Sequence, residues 1–151
     1  MLIESALAKA ELASHNTGVN LTSKRKQVLA LLMASERALS AYDLADHYRE
    51  QFEQSVPAMS IYRMLGFLTE NNLAHKLSSE NKFISCAHST CSHDHGVPQF
   101  LICQGCQQVK EVLLDKKLFQ DIQQAVSDAD FVLADPQLEL KCLCQSCASA
   151  Q

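Results

Sequence analysis

Between Cys86 and Glu111 the sequence reads CAHSTCSHDHGVPQFLICQGCQQVKE, a segment that holds four of the chain's seven cysteines and three of its six histidines. Thiolate and imidazole are the ligands zinc prefers, and the Cys-x-x-Cys pair Cys103/Cys106 offers two sulfurs within a short turn. A second pair, Cys144/Cys147, closes the chain. Four thiolates complete a closed tetrahedral shell, the arrangement of a structural zinc. The 37 residues between the pairs exceed the roughly 15 to 20 of a compact zinc template, so an element must fold between them. Gly105 can take a positive φ, which lets the backbone wrap tightly around an ion. Disulfides and a thioredoxin-like redox pair are the alternatives. The first needs an oxidising compartment, whereas the opening MLIESALAKAELASHN is an amphipathic pattern with no signal-peptide core; the second expects a βαβ unit, which the pattern lacks. Cys86, Cys91, His88, His93 and His95 remain, a mixed sulfur and nitrogen set that suggests a second metal site.

The elements that must position these ligands follow from composition and periodicity. The chain has 151 residues, 47% of them hydrophobic, and no apolar run approaches the roughly 18 residues of a membrane span. A soluble, cytoplasmic protein of one large or two small domains is expected. The formal charge of −4 is unevenly shared: residues 1–82 carry nine basic and nine acidic side chains, residues 83–151 four and eight. Any contact with an acidic polymer therefore belongs to the first part. All seven cysteines lie beyond residue 85, which divides the chain into domains 1–82 and 83–151.

In the first domain, apolar spacing predicts a helix over 2–15, ended by His15, Asn16 and Gly18. Thr22 caps a second helix, with Lys24, Arg25 and Lys26 in its first turns and Val28, Leu29, Leu32 and Met33 on its buried side. Three cations there oppose the helix dipole, so either they are simply solvated or an anion lies close by. Ser40 and Asp43 form a capping-box variant for a third helix over about 41–51. Pro57 suits the first turn of a fourth, running to 71 or 72, whose core stripe is Ile61, Leu65 and Leu68. On that helix Arg63 falls opposite the stripe with Met59, Gly66 and Glu70, and Tyr62 sits on the shoulder. A helix-turn-helix protein carries its base-reading side chains on such a face, although most exposed helical arginines are only solvated. Strands at 73–77 and 82–85, joined by a polar turn, complete a winged helix. In the second domain strands at 99–103 and 108–113 flank the first cysteine pair. Asp115 then caps a helix over 116 to about 127, and a strand at 131–132 or 137–140 returns to the second pair. Fewer than 70 residues make a marginal domain, so metal and dimerisation are expected to complete its core. Cys142 is read as a buried strand residue, and His15 and His47 as ordinary surface residues.

Ser40-Ala41-Tyr42-Asp43-Leu44, Ser60-Ile61-Tyr62-Arg63 and His75, then Cys86, Cys103-x-x-Cys106, Val109-Lys110-Glu111 and Cys144-x-x-Cys147, together resemble the ferric uptake regulator family and, within it, the zinc-uptake branch. The resemblance follows nearly the whole chain in order. It implies a homodimeric, DNA-binding repressor, α+β, with an N-terminal winged helix-turn-helix domain and a small C-terminal α/β dimerisation domain containing a structural zinc. It assigns Cys103, Cys106, Cys144 and Cys147 to that zinc. It assigns His75, Cys86, a histidine before the next strand and Glu111 to a regulatory zinc at the hinge. The family's histidine falls seven residues before the first knuckle cysteine, where this chain has Gly96; His95 is favoured over His93. Two zinc ions per chain are thus expected, and His88, Cys91 and His93, with Asp94, form either a third site or a solvated loop. Tyr42, Ser60, Tyr62 and Arg63 match DNA-contacting positions, with Lys24 and Arg25 at most holding phosphate. Met59 departs from the family, which has a smaller residue ahead of Ser60, and Thr22-Ser23 stands where it has Thr-Pro.

A zinc-responsive repressor acting on double-stranded operator DNA of zinc-uptake genes is the function these readings favour. The alternative is an iron-, manganese- or peroxide-sensing regulator of the same family. A zinc enzyme is disfavoured: a deaminase needs His-x-Glu and Pro-Cys-x-x-Cys, but no histidine is followed two residues on by glutamate, and Ile102 and Leu143 precede the two pairs. A zinc-ribbon interaction module is disfavoured by the winged-helix part.

Overall fold

The computed structural model describes residues 3–87 and 97–151, which divide into two compact units, 1–93 and 94–151. The division falls beyond the wing hairpin and not at residue 82, because the second strand of the hairpin pairs with the first and stays with it.

Among its described residues the first unit has four helices and a hairpin: α1 (Ile3–Thr17), α2 (Ser23–Met33), α3 (Ala41–Phe52), α4 (Ala58–Glu70), β1 (Ala74–Leu77) and β2 (Lys82–Ser85). Helix α1 runs past His15 and Asn16 and buries Ala6, Ala10 and Ala13. These small residues, spaced near one helical turn, let it lie close on α2. Helix α2 is central and buries five consecutive residues, Val28 to Leu32, as a helix surrounded on several sides must. Thr22 accepts a hydrogen bond from the Arg25 amide at 3.3 Å. The capping box of α3 is complete: Ser40 Oγ accepts from the Asp43 amide at 3.1 Å, and Asp43 accepts from the Ser40 amide at 3.0 Å. Pro57 is the N-cap of α4 and not a first-turn residue. Its backbone is extended (φ −59°, ψ 144°), and its carbonyl accepts from the Ser60 and Ile61 amides.

Helix α4 ends in a Schellman motif. Asn72 takes φ 58°, its amide donates to Thr69 O at 3.2 Å, and the Leu73 amide donates to Leu68 O at 2.9 Å. Leu73 and Leu68, both fully buried, supply the apolar contact of that motif. The motif turns the chain directly into β1. Strands β1 and β2 pair antiparallel from Ala74↔Ser85 to Leu77↔Lys82. Leu39, just before the α3 cap, exchanges two backbone hydrogen bonds with Phe83 and fastens the hairpin to the helices. The result is a winged helix-turn-helix.

The second unit comprises β3 (Pro98–Cys103), β4 (Val109–Leu113), α5 (Lys116–Asp128), β5 (Leu138–Cys142) and α6 (Gln145–Ser149). The sheet order is β4-β3-β5, with β3 antiparallel to β4 and parallel to β5. Asp115 caps α5 by accepting from the Lys117 amide at 2.8 Å. Of the two strand options after α5, residues 131–132 are not a strand. Asp130 takes φ 63°, and the Phe131 amide donates back to Val126 O at 3.1 Å, a second Schellman cap that occupies this backbone. Gln99, almost fully buried, carried no signal in sequence. Its amide donates to Pro136 O at 3.1 Å and its carbonyl accepts from the Leu138 amide, setting where β5 begins.

Candidate metal centre and nucleic-acid interface

Cys103 ends β3, Cys106 lies in the turn before β4, Cys144 is the N-cap of α6 and Cys147 lies within α6. Parallel pairing of β3 with β5 brings Cys103 opposite Cys142, and the Gln104 amide donates to Cys142 O at 2.8 Å, so the chain's two Cys-x-x-Cys turns meet. The four Sγ atoms all lie within 4.8 Å of one another, and Cys106 and Cys144 Sγ are 3.9 Å apart. A tetrahedron with metal–sulfur bonds of about 2.3 Å has sulfur–sulfur edges of about 3.8 Å, so this spacing suits a four-thiolate zinc.

The electrostatics agree. Backbone N–H groups of Cys106, Cys144 and Gly105 point at Cys103 and lower its thiol to about 6; the Cys144 amide lies 3.2 Å from its sulfur. Cys147 is pushed up to about 12 by hydrogen bonds to Cys144 and Cys103 and by burial. Four thiolates cannot all ionise at such distances without a cation among them. Gly105 serves this centre in a way that differs from expectation. It has no positive φ; that conformation falls to Gln107, at φ 66°. A Cβ at Gly105 would lie 2.7 Å from Cys147 Sγ, so the glycine leaves room for the sulfur. Helix α6, which carries Cys147, left no periodic signal to read, because five residues are too few for one.

Within the first unit, His75 on β1 and Cys86 just after β2 present ligand atoms within 4.8 Å of each other. The register explains this: His75 faces Ile84, and Cys86, two residues on, points to the same face as Ile84. The Cys86 amide donates to Leu73 O at 2.9 Å, extending the ladder. Glu111 lies on β4 in the second unit, in register with Phe100. His88, Cys91, His93, Asp94 and His95 lie outside the described residues. Cys142 ends β5 as a half-buried residue, less covered than expected, and His15 and His47 are exposed.

On α4 the core stripe Ile61, Leu65 and Leu68 is fully buried, and Arg63 is exposed on the other side. Tyr42, at the second position of α3, is 76% exposed, and Ser60 is half-buried. Tyr62 is held between helix and hairpin: its hydroxyl accepts from Lys76 Nζ at 3.2 Å, and its ring meets Phe83 edge-on at 5.9 Å. The basic cluster opening α2 is largely committed to the fold. The Arg25 guanidinium stacks 3.7 Å over the Phe67 ring, and Lys26 pairs with Glu11 at 2.6 Å. Arg25 is therefore a packing residue, and Lys24 is the exposed cation of the three.

Comparison with known proteins adds to this geometry. Residues 16–141 match the model of the ferric uptake regulator family. The chain is 34% identical over 149 residues to the zinc uptake regulation protein of Escherichia coli (strain K12), covering 98% of this chain and 84% of that protein. Among solved structures it is similar to a zinc uptake regulator complexed with zinc and DNA, with a TM-score of 0.78 and 29% identity over 99% of this chain and 97% of that one. It is also similar to holo XcZur, with a TM-score of 0.73 and 31% identity over 98% and 99%.

Proposed function

This chain belongs to the ferric uptake regulator family, and from that membership we propose that it is a zinc-responsive transcriptional repressor whose homodimer binds operator DNA of zinc-uptake genes in the cytoplasm. The observation that carries the reading is the full-length likeness to a zinc uptake regulator complexed with zinc and DNA. It is supported by the exposed outer face of α4 and by a sulfur-rich donor set that suits zinc better than the nitrogen and oxygen shells of iron. No catalytic role is proposed. Among the described residues no helix is long and apolar enough to cross a membrane.

Two zinc ions per chain have separate roles in this proposal. Cys103, Cys106, Cys144 and Cys147 hold a structural ion that cross-links the strand ends and α6. His75 and Cys86, with Glu111 and His95, take the regulatory ion, which supplies a bond network that exists only when the ligands are gathered. His88, Cys91 and His93 remain a proposed third set. Because a ligand shifts a conformational equilibrium only by binding one state more tightly, the regulatory ion must favour the DNA-competent arrangement, and DNA must tighten zinc binding by the same factor. Tyr42, Ser60, Tyr62 and Arg63 form the proposed DNA-contacting set.

Dimerisation is supported by the second unit's uncovered apolar surface. Helix α5 buries none of its residues, although Leu118, Phe119, Ile122 and Val126 fall at helical spacing. Phe131 and Val132, just beyond it, are 72% and 92% exposed.

The deciding experiment measures DNA binding by the full-length protein against buffered free zinc, iron and manganese. Zinc alone is expected to switch on specific binding at the lowest free concentration. A response to iron or manganese with none to zinc would overturn the assignment in favour of another metal sensor of the family.

A further inference from the structure

We infer that Met59 is a specificity residue that reads the 5-methyl group of a thymine beside the base contacted by Arg63. This rests on the reading of α4 as the helix that enters the major groove. Met59 occupies the second position of α4 and is 65% exposed. Folding does not require a large thioether there, since α4 is anchored through Ile61, Leu65 and Leu68, all fully buried. Among the described residues of the first unit, the large exposed hydrophobics are Leu12, Tyr42, Met59 and Tyr62. Met59 and Tyr62 stand in the first two turns of α4, the end that meets base edges in a helix-turn-helix, and Tyr42 in the first turn of α3, the helix that crosses the backbone. Tyr42 and Tyr62 carry hydroxyls that can meet a base edge or phosphate. Met59 has no comparable polar group, so its complement in the groove is apolar.

The major groove offers one apolar group on a base, the thymine methyl, and a flexible, polarizable thioether suits it. At about 100° per residue, Met59, Arg63 and Gly66 lie within about 60° of one another on the outer face of α4. Four residues rise about 6 Å along a helix axis, close to two base-pair steps of about 3.4 Å. The thymine should therefore fall one or two pairs from the base that Arg63 contacts. Gly66 leaves this face low beyond Arg63: apart from its chain neighbours and the surrounding backbone of α4, a Cβ there would meet no atom within 4 Å. Packing within the chain does not demand a glycine, whereas close approach of the helix to DNA gives it a use.

The test uses the zinc-loaded full-length dimer. A specific duplex is selected from a random DNA pool, and each thymine in a half-site is replaced singly by deoxyuridine, which removes only the methyl group. Wild type should lose about 2- to 5-fold in affinity at one or two positions, the scale of one buried methyl. Met59→Ala should bind more weakly overall and be indifferent to deoxyuridine at those positions, while Met59→Leu retains the sensitivity. Unchanged helical circular dichroism and melting temperature in both variants would separate recognition from folding. If Met59→Ala keeps the full deoxyuridine sensitivity, or wild type shows none, the inference is overturned while the repressor reading stands. If no zinc-dependent, sequence-specific DNA emerges from the pool, the repressor reading itself has failed.

Discussion

The Gly105 contact shows how one missing side chain shapes the thiolate cluster. With a Cβ placed 2.7 Å from Cys147 Sγ, Gly105→Ala must push that sulfur out of its tetrahedral position. Zinc retention against a chelator should fall, measured by release of one ion per chain, while the helical signal of the first unit persists; full retention would show that the turn can relax around the methyl group. Arg63 and Lys24 separate sequence reading from charge. An exposed arginine opposite a fully buried stripe can pair both its nitrogens with guanine O6 and N7, worth about 1 to 3 kcal/mol of discrimination. Arg63→Ala should therefore weaken operator binding by that amount and leave random DNA much less affected. Lys24→Ala should weaken both alike and flatten the salt dependence, because phosphate neutralisation is indifferent to sequence. Equal losses on operator and random DNA in Arg63→Ala would make it a phosphate contact.

At the scale of elements, the ends of the helices determine what each helix presents. The reciprocal Ser40/Asp43 box holds the first turn of α3, from which Tyr42 projects. Ser40→Ala should cost about 1 kcal/mol of unfolding free energy, read by denaturant melts, and a neutral result would mean that the Leu39–Phe83 bridge alone sets the helix start. The Ser40 backbone N–H, outweighing burial, holds the Asp43 carboxyl below its ordinary value of 3.8. A depressed carboxyl contributes stability above its unfolded value and loses it as pH falls through the folded one. The stability gap between wild type and Asp43→Ala should thus be full near neutrality and close progressively below about pH 4; a gap independent of pH would place the aspartate's contribution in its packing. The Schellman motif at Asn72 performs the matching task at the far end of α4, passing the chain straight from the proposed reading helix into the strand that bears His75.

For the whole molecule, the two proposed metal sites predict different failures. Cys103→Ser should lose one zinc and, with it, the dimer by sedimentation, because the second unit has little buried core without its cross-link. Cys86→Ala should keep fold and dimer yet lose zinc-dependent DNA binding, measured by fluorescence anisotropy across buffered zinc. Unchanged zinc-dependent affinity in that variant would remove Cys86 from the regulatory set.

Local signals were enough to reveal the caps at Thr22, Ser40 and Asp115, the Ile61/Leu65/Leu68 stripe, the wing strands and the two cysteine pairs, because each is written within a few residues and answers to capping chemistry, the helix period, the strand period or ligand spacing. The order of motifs along the chain carried the family resemblance. What depends on partners distant in sequence was not legible. The Asp130 cap removes 131–132 locally, but the start of the strand at Leu138 was set by Gln99, from 39 residues away in the chain. That Arg25 covers Phe67 was decided by the packing of α2 on α4. The space needed at Gly105 came from Cys147, delivered by a parallel strand pairing and a short helix that no local pattern announces. Spacing names the groups able to bind metal or DNA, but only the tertiary contacts settle which of them are already committed to holding the fold together.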